Sequence, residues 1–169
     1  GVEVARSARA GVAPAGAVEL ADVESPQMAR LAQITNKRSD NFFAEMLLKD
    51  VGFQVDGRGT TSGGARATVR FARGLGSRPR IADGSGLSRR NRASPRSVVR
   101  LLMGMHRRDE NKAYTNSLAV AGRNGTLRSR MRRGPARGKC RAKTGTISGV
   151  STLSGYCRAR SGDVYAFSF

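Results

Sequence analysis

Apolar positions recur at helical spacing over the first four-fifths of the chain and give way to strand-like segments after about residue 139. Met28, Leu31, Ala32 and Ile34 form a stripe behind Ser25-Pro26, which predicts Ser25 as N-cap and Pro26 as the first helical residue. Phe43, Met46 and Leu47 form a second stripe after Ser39-Asp40-Asn41, predicting a helix to about Asp50 with Gly52 as its stop. Ser62 is the expected cap of a third helix carrying Ala65, Val69 and Ala72. Ser94-Pro95 opens a fourth, with Val98, Val99, Leu101, Leu102 and Met105 inside. Ile81-Ala82 reads as a short strand running into the Gly-rich loop Asp83-Gly84-Ser85-Gly86-Leu87-Ser88. Residues 1–24 show no period and read as strand fragments and loop.

Lys139–Thr146, Ser151–Arg158 and Val164–Phe169 read as strands separated by the hairpin signals Ser148-Gly149 and Ser161-Gly162-Asp163. A helical part over about 25–135, followed by antiparallel strands over about 139–169, indicates an α+β layer arrangement. The last strand runs to the final residue, so the arrangement is expected to be incomplete. A turn at Ser148-Gly149 sets Cys140 opposite Cys157, within disulfide reach if the pair is not hydrogen-bonded. A bridge, and two small apolar side chains on one face, are both open at this point.

Composition changes this picture little, and charge changes it more. Of 169 residues, 31 are Lys or Arg and 12 are Asp or Glu, a net charge of +19. Such a balance invites a nucleic-acid reading. However, 26 of the bases are Arg spread along most of the chain. The densest cluster, Arg128 to Arg141, has no aromatic residue interleaved with it to stack on bases. No nucleic-acid partner is therefore expected. No apolar run is long enough for a membrane span. His106 is the only histidine and the two cysteines lack metal-ligand spacing, so Ser-His-Asp chemistry, metal sites and other cofactors are not expected. Any hydrolytic chemistry must move protons through Lys, Ser or Tyr.

Two short motifs have that composition: Ser39-Asp40-Asn41 and Lys143-Thr144-Gly145, the latter followed by Thr146. A Lys-Thr-Gly is expected about 0.03 times by chance in such a chain, whereas Ser-x-Asn alone carries no weight. Paired in this order, they are two parts of the signature of penicillin-binding proteins and serine β-lactamases. The stretches around them extend the likeness. Ser39-Asp40-Asn41-Phe42-Phe43-Ala44-Glu45-Met46-Leu47-Leu48, Asp83-Gly84-Ser85-Gly86-Leu87-Ser88-Arg89-Arg90-Asn91, Gly125-Thr126-Leu127-Arg128 and Arg141-Ala142-Lys143-Thr144-Gly145-Thr146 follow one another as blocks. From about Ser25 to Phe169 the chain resembles the D-alanyl-D-alanine carboxypeptidase/endopeptidase family of class C low-molecular-mass penicillin-binding proteins; residues 1–24 fit loosely.

The resemblance implies a β-lactamase/transpeptidase-like fold, an antiparallel sheet with a helical subdomain, incomplete at both ends, with 1–169 as part of one domain. It implies acyl transfer on peptidoglycan stem peptides ending in D-Ala-D-Ala, outside the cytoplasm, with β-lactams as inhibitors of the complete enzyme and no cofactor. Ser39 would shuttle a proton towards the leaving amine, and Asn41 would hold a substrate amide and the lysine. Lys143 would place a positive charge beside nucleophile and substrate carboxylate. Thr144 and Thr146 would offer hydroxyls to that carboxylate, the Thr146 N–H would form half an oxyanion hole, and Gly145 would let the substrate lie along the strand. Asp83 and Ser85 are expected to serve structure, with contact to substrate as the alternative.

One part of the signature is missing. None of the 16 serines has Lys three residues on; Ser97-x-x-Arg100 and Ser129-x-x-Arg132 carry arginine, whose pKa is too high for a base. The 169-residue chain is thus expected to be inactive alone, the C-terminal part of a transpeptidase-like domain. Three readings compete with the peptidase: a serine β-lactamase, a non-catalytic wall-peptide-binding relic, and a basic nucleic-acid-binding module.

Overall fold

The computed structural model describes residues 11–169. Five helices precede and flank a four-stranded antiparallel sheet: α1 (Met28–Arg38), α2 (Asn41–Asp56), α3 (Thr61–Gly74), α4 (Pro95–His106), α5 (Asn111–Ser117), β1 (Ala119–Val120), a 3-10 turn (Gly125–Leu127), β2 (Cys140–Ile147), β3 (Val150–Arg158) and β4 (Val164–Ser168). The strands lie in the order β1-β2-β3-β4. The α+β expectation holds, and no helix among the described residues is long and apolar enough to cross a membrane.

Sequence and structure part in several places. Residues 11–24 form no strand; the rest of the segment read as strand fragments, residues 1–10, lies outside the described residues. Helix α1 begins at Met28 rather than Pro26, because the Ser25 hydroxyl donates to the Pro26 carbonyl instead of accepting from the first turn. Thr60, not Ser62, caps α3, its Oγ1 accepting from the Gly63 N–H at 3.1 Å. Ile81 belongs to no strand; one isolated bridge, Arg80 to Arg92, closes the loop instead. Helix α4 starts as expected, with Pro95 at its first turn and Ser94 Oγ accepting from Ser97 N–H.

Helix α2 does not stop near Gly52 but runs on to Asp56, where Gly57 ends it in the left-handed conformation. Gly52 serves packing. A Cβ there would lie 2.8 Å from the Gly64 nitrogen, and one on Gly64 would run into the Leu48 carbonyl oxygen. Facing glycines thus bring the backbones of α2 and α3 into contact, which a larger residue would forbid.

Behind the sheet, α4 buries Leu102 against Tyr156 and Leu118, and the Tyr156 hydroxyl donates to the Leu102 carbonyl at 2.6 Å. The opposite face of the sheet gathers Ala119, Leu127 and Ala142, with Leu153 and Phe167 beside them. The β2–β3 register pairs Ile147 with Val150 and Cys140 with Cys157, and the two cysteines form a disulfide. Arg158 N–H donates to Lys139 C=O, so Lys139/Arg158 is a hydrogen-bonded pair and the adjoining cysteine pair is not. Of the two alternatives open in the sequence, the bridge forms.

Candidate active site

The Ser39-Asp40-Asn41 motif is the joint between two helices. Ser39 ends α1 with φ 57, an uncommon left-handed conformation for a non-glycine residue. Asp40 turns the chain and accepts from the Phe43 N–H at 2.9 Å, capping α2, and Asn41 is the first residue of that helix. The joint aims Ser39 at the sheet. There the Lys143 ammonium donates to Ser39 Oγ at 2.6 Å and to the Thr144 carbonyl at 2.7 Å. Burial pushes the Lys143 pKa below the ordinary lysine value.

Ser39, Asn41, Lys143, Thr144, Gly145 and Thr146 all line one cleft of about 660 Å³. The structure therefore brings the six residues singled out in the sequence to one place. They are not all bonded to one another: among the described hydrogen bonds the Asn41 side chain has none to Ser39 or Lys143, so its reach is towards the open cleft. Thr144 Oγ1 donates to Thr126 Oγ1 at 2.9 Å, which fixes a hydroxyl ahead of β2.

Strand β2 presents an edge here. Its odd-numbered residues exchange hydrogen bonds with β3, so the N–H of Thr146 and the C=O of Thr144 point the other way. Strand β1 covers that side only at Arg141 and Ala142. From Lys143 onward no strand among the described residues pairs with this edge, which leaves room for an extended peptide as an added strand.

The far wall is the loop after Ile81. Asp83 accepts from the N–H groups of Gly86 (2.9 Å) and Ser88 (2.8 Å) and from Asn91 Nδ2 (2.7 Å). Burial works to raise its pKa, and these donors outweigh it and hold it low. This is the structural part expected of Asp83, whereas Ser85 and Gly86 line the cleft itself. Glu45 carries a part the sequence did not reveal. Its Oε1 accepts from Thr61 Oγ1 at 2.5 Å, and its Oε2 accepts from the N–H groups of Gly84 (2.7 Å) and Ser85 (3.2 Å). The Thr61 bond, assisted by the two backbone donors, lowers the Glu45 pKa against the opposing effect of burial. Two helices and one loop meet at this carboxylate. Thr126 is the second such residue, and neither follows a spacing rule that could have flagged it.

The sequence profile of the D-Ala-D-Ala carboxypeptidase 3 (S13) family matches residues 1–169. The chain belongs to this family. It is 40% identical over 157 residues to a D-alanyl-D-alanine carboxypeptidase of Actinomadura sp. (strain R39), covering 88% of the chain and 29% of that protein. It is 34% identical over 168 residues to a carboxypeptidase of Mycobacterium tuberculosis, covering 93% of the chain and 36% of the relative. Among solved structures, penicillin binding protein 4 from Haemophilus influenzae superposes with a TM-score of 0.75 at 30% identity, over 82% of this chain and 32% of that one. The S13 chain thus spans about a third of the length of the relatives it matches.

Proposed function

We propose that this chain supplies the Ser-x-Asn and Lys-Thr-Gly walls of the cleft of a serine-type D-Ala-D-Ala carboxypeptidase or endopeptidase, acting on peptidoglycan stem peptides outside the cytoplasm. The observation that carries the reading is the Lys143–Ser39 hydrogen bond of 2.6 Å beside an edge of β2 that no described strand covers. A stem peptide lies antiparallel to β2, its terminal carboxylate beside the Lys143 ammonium and the hydroxyls of Thr144 and Thr146. The scissile carbonyl oxygen receives the Thr146 N–H as charge develops on it. Ser39 Oγ accepts a hydrogen bond from Lys143, which leaves its own proton free to pass to the departing amine as the C–N bond breaks; Lys143 replaces that proton. Asn41 offers both a donor and an acceptor to the backbone of the peptide.

The acylated serine is not among these residues, since none carries a lysine three positions on. The 169-residue chain is therefore expected to bind peptide and not to be covalently labelled by penicillin. A disulfide joining β2 to β3 accords with an oxidising compartment, and the Haemophilus relative has been solved with a β-lactam bound. Calorimetry with an acylated D-Ala-D-Ala peptide tests the reading. Binding that is lost with an L-Ala-L-Ala peptide and with Lys143→Ala supports it. Equal heats from both peptides overturn it.

A further inference from the structure

The charge of this chain is unevenly placed. Residues 1–56 hold eight of the twelve Asp and Glu, whereas residues 57–162 hold 25 Lys and Arg against three acids. Between Glu110 and Asp163 there is no acidic residue at all. The densest part of that stretch is the loop joining the 3-10 turn to β2, with Arg128, Arg130, Arg132, Arg133, Arg137 and Lys139.

The loop is folded rather than extended. Gly122 N–H donates to Leu127 C=O, Arg130 N–H to Leu127 C=O, Gly138 N–H to Ala121 C=O and Cys140 N–H to Ala136 C=O, at 2.9–3.1 Å. Its base rests on the fully buried Ala121 and Leu127, and its end is tied to β3 by the Cys140–Cys157 disulfide. Met131 stands at φ 52, a left-handed conformation uncommon for a residue with a side chain. On this frame Arg132, Arg133 and Arg137, with Met131, line one concavity. None of the three forms an ion pair; the ion pairs among the described residues are Arg66–Asp56 and Arg108–Glu110.

Three exposed arginines line one hollow, and among the described residues no carboxylate pairs with any of them, which makes the hollow an anion site. The chemistry selects phosphate: a planar carboxylate is satisfied by one guanidinium, whereas a phosphate group carries enough charge and acceptor oxygens to engage several. The further bases Arg128, Arg130 and Lys139 extend the site along the loop, as a chain of repeated phosphates requires. No aromatic residue occurs between Tyr114 and Tyr156, so nothing here stacks on bases. We infer that the loop from Arg128 to Lys139 is a docking site for a linear, base-free phosphate polymer, with Arg132, Arg133 and Arg137 taking one phosphate group. The inference is independent of the peptidase reading, because the loop lies outside the residues of the cleft.

The test is binding of long-chain sodium polyphosphate to the 169-residue chain as a function of salt, with sodium polyglutamate and single-stranded poly(U) as competitors. The wild type is expected to prefer polyphosphate to polyglutamate. R132S/R133S/R137S is expected to weaken binding about tenfold and to flatten the slope of log affinity against log salt by about two units. R96S/R107S/R160S removes the same charge from exposed arginines elsewhere and is expected to change binding less than about threefold. R132K/R133K/R137K keeps charge and fold and is expected to lose the preference for polyphosphate over polyglutamate. Equal losses from the two serine triples, no discrimination against polyglutamate, an unchanged preference in the lysine triple, or tighter binding to poly(U) at equal phosphate each overturn the inference.

Discussion

The Lys143 ammonium lies 2.6 Å from the Ser39 hydroxyl, although 104 residues separate them in sequence. Burial lowers the pKa of this ammonium, whose described partners are one hydroxyl and one carbonyl rather than a carboxylate. A substrate carboxylate would supply what is lacking.

Lys143→Met is expected to abolish peptide binding while leaving the fold as stable or more so. For an amine whose folded pKa is depressed, the unfolded chain binds more protons between the two pKa values. The cost of the charge is therefore full below the folded pKa and relieved as pH rises towards the ordinary lysine value. Thermal melts of both proteins at neutral pH check this; a clear drop in melting temperature for the variant would contradict it.

Glu45→Gln removes a carboxylate that accepts three hydrogen bonds and puts an amide donor where an N–H already points. A loss of about 1–3 kcal/mol is expected from urea unfolding at neutral pH, with the loop at Gly84 and Ser85 the first to lose protection from hydrogen exchange. Because the Glu45 pKa is depressed, its contribution is complete above the unfolded carboxylate value and fades as pH falls through the folded one. The gap between wild type and variant should therefore narrow in acid. A gap that widens in acid would count against this role.

Gly64→Ala forces a methyl group against the Leu48 carbonyl, where no rotamer can relieve it because the obstacle is backbone. Helices α2 and α3 must separate, at about 3 kcal/mol or more. Since α2 carries Asn41 and Glu45, peptide affinity should fall along with the unfolding midpoint. A neutral substitution would mean that the two helices do not pack through these glycines.

Reduction of Cys140–Cys157, 17 residues apart, is expected to cost about 3 kcal/mol by releasing the unfolded chain. Alkylation of the reduced and unreduced protein, followed by intact mass, shows whether the bond is present. Melting with and without reductant measures its effect. Uptake of alkylating agent without reduction would exclude the bridge.

These expectations rest on features of unequal legibility. Ser39, Asn41 and Lys143 could be picked out because each sits in a short motif whose chemistry is local, and the cysteine pair because a two-residue turn sets the register of everything before and after it. Gly52 misled, since a glycine that ends a helix and one that admits a neighbouring backbone look the same until Gly64 is placed against it. Helix α5 (Asn111–Ser117) is seven mostly polar residues with no apolar stripe to announce it, and β1 is two residues long. Glu45 sits in a recognisable stretch, but its partners are 39 and 40 residues away and are backbone N–H groups, which leave no mark in sequence.

The most direct measurement is an NMR titration of the chain with an acylated D-Ala-D-Ala peptide, following the Thr146 amide proton and the Lys143 side-chain nitrogen. Peptide seated on the β2 edge moves both signals together, saturably, and moves neither in the Ser39→Ala/Lys143→Ala double variant. Signals that stay put while the peptide binds elsewhere, or no binding at all, would contradict the placement of substrate between α2 and β2.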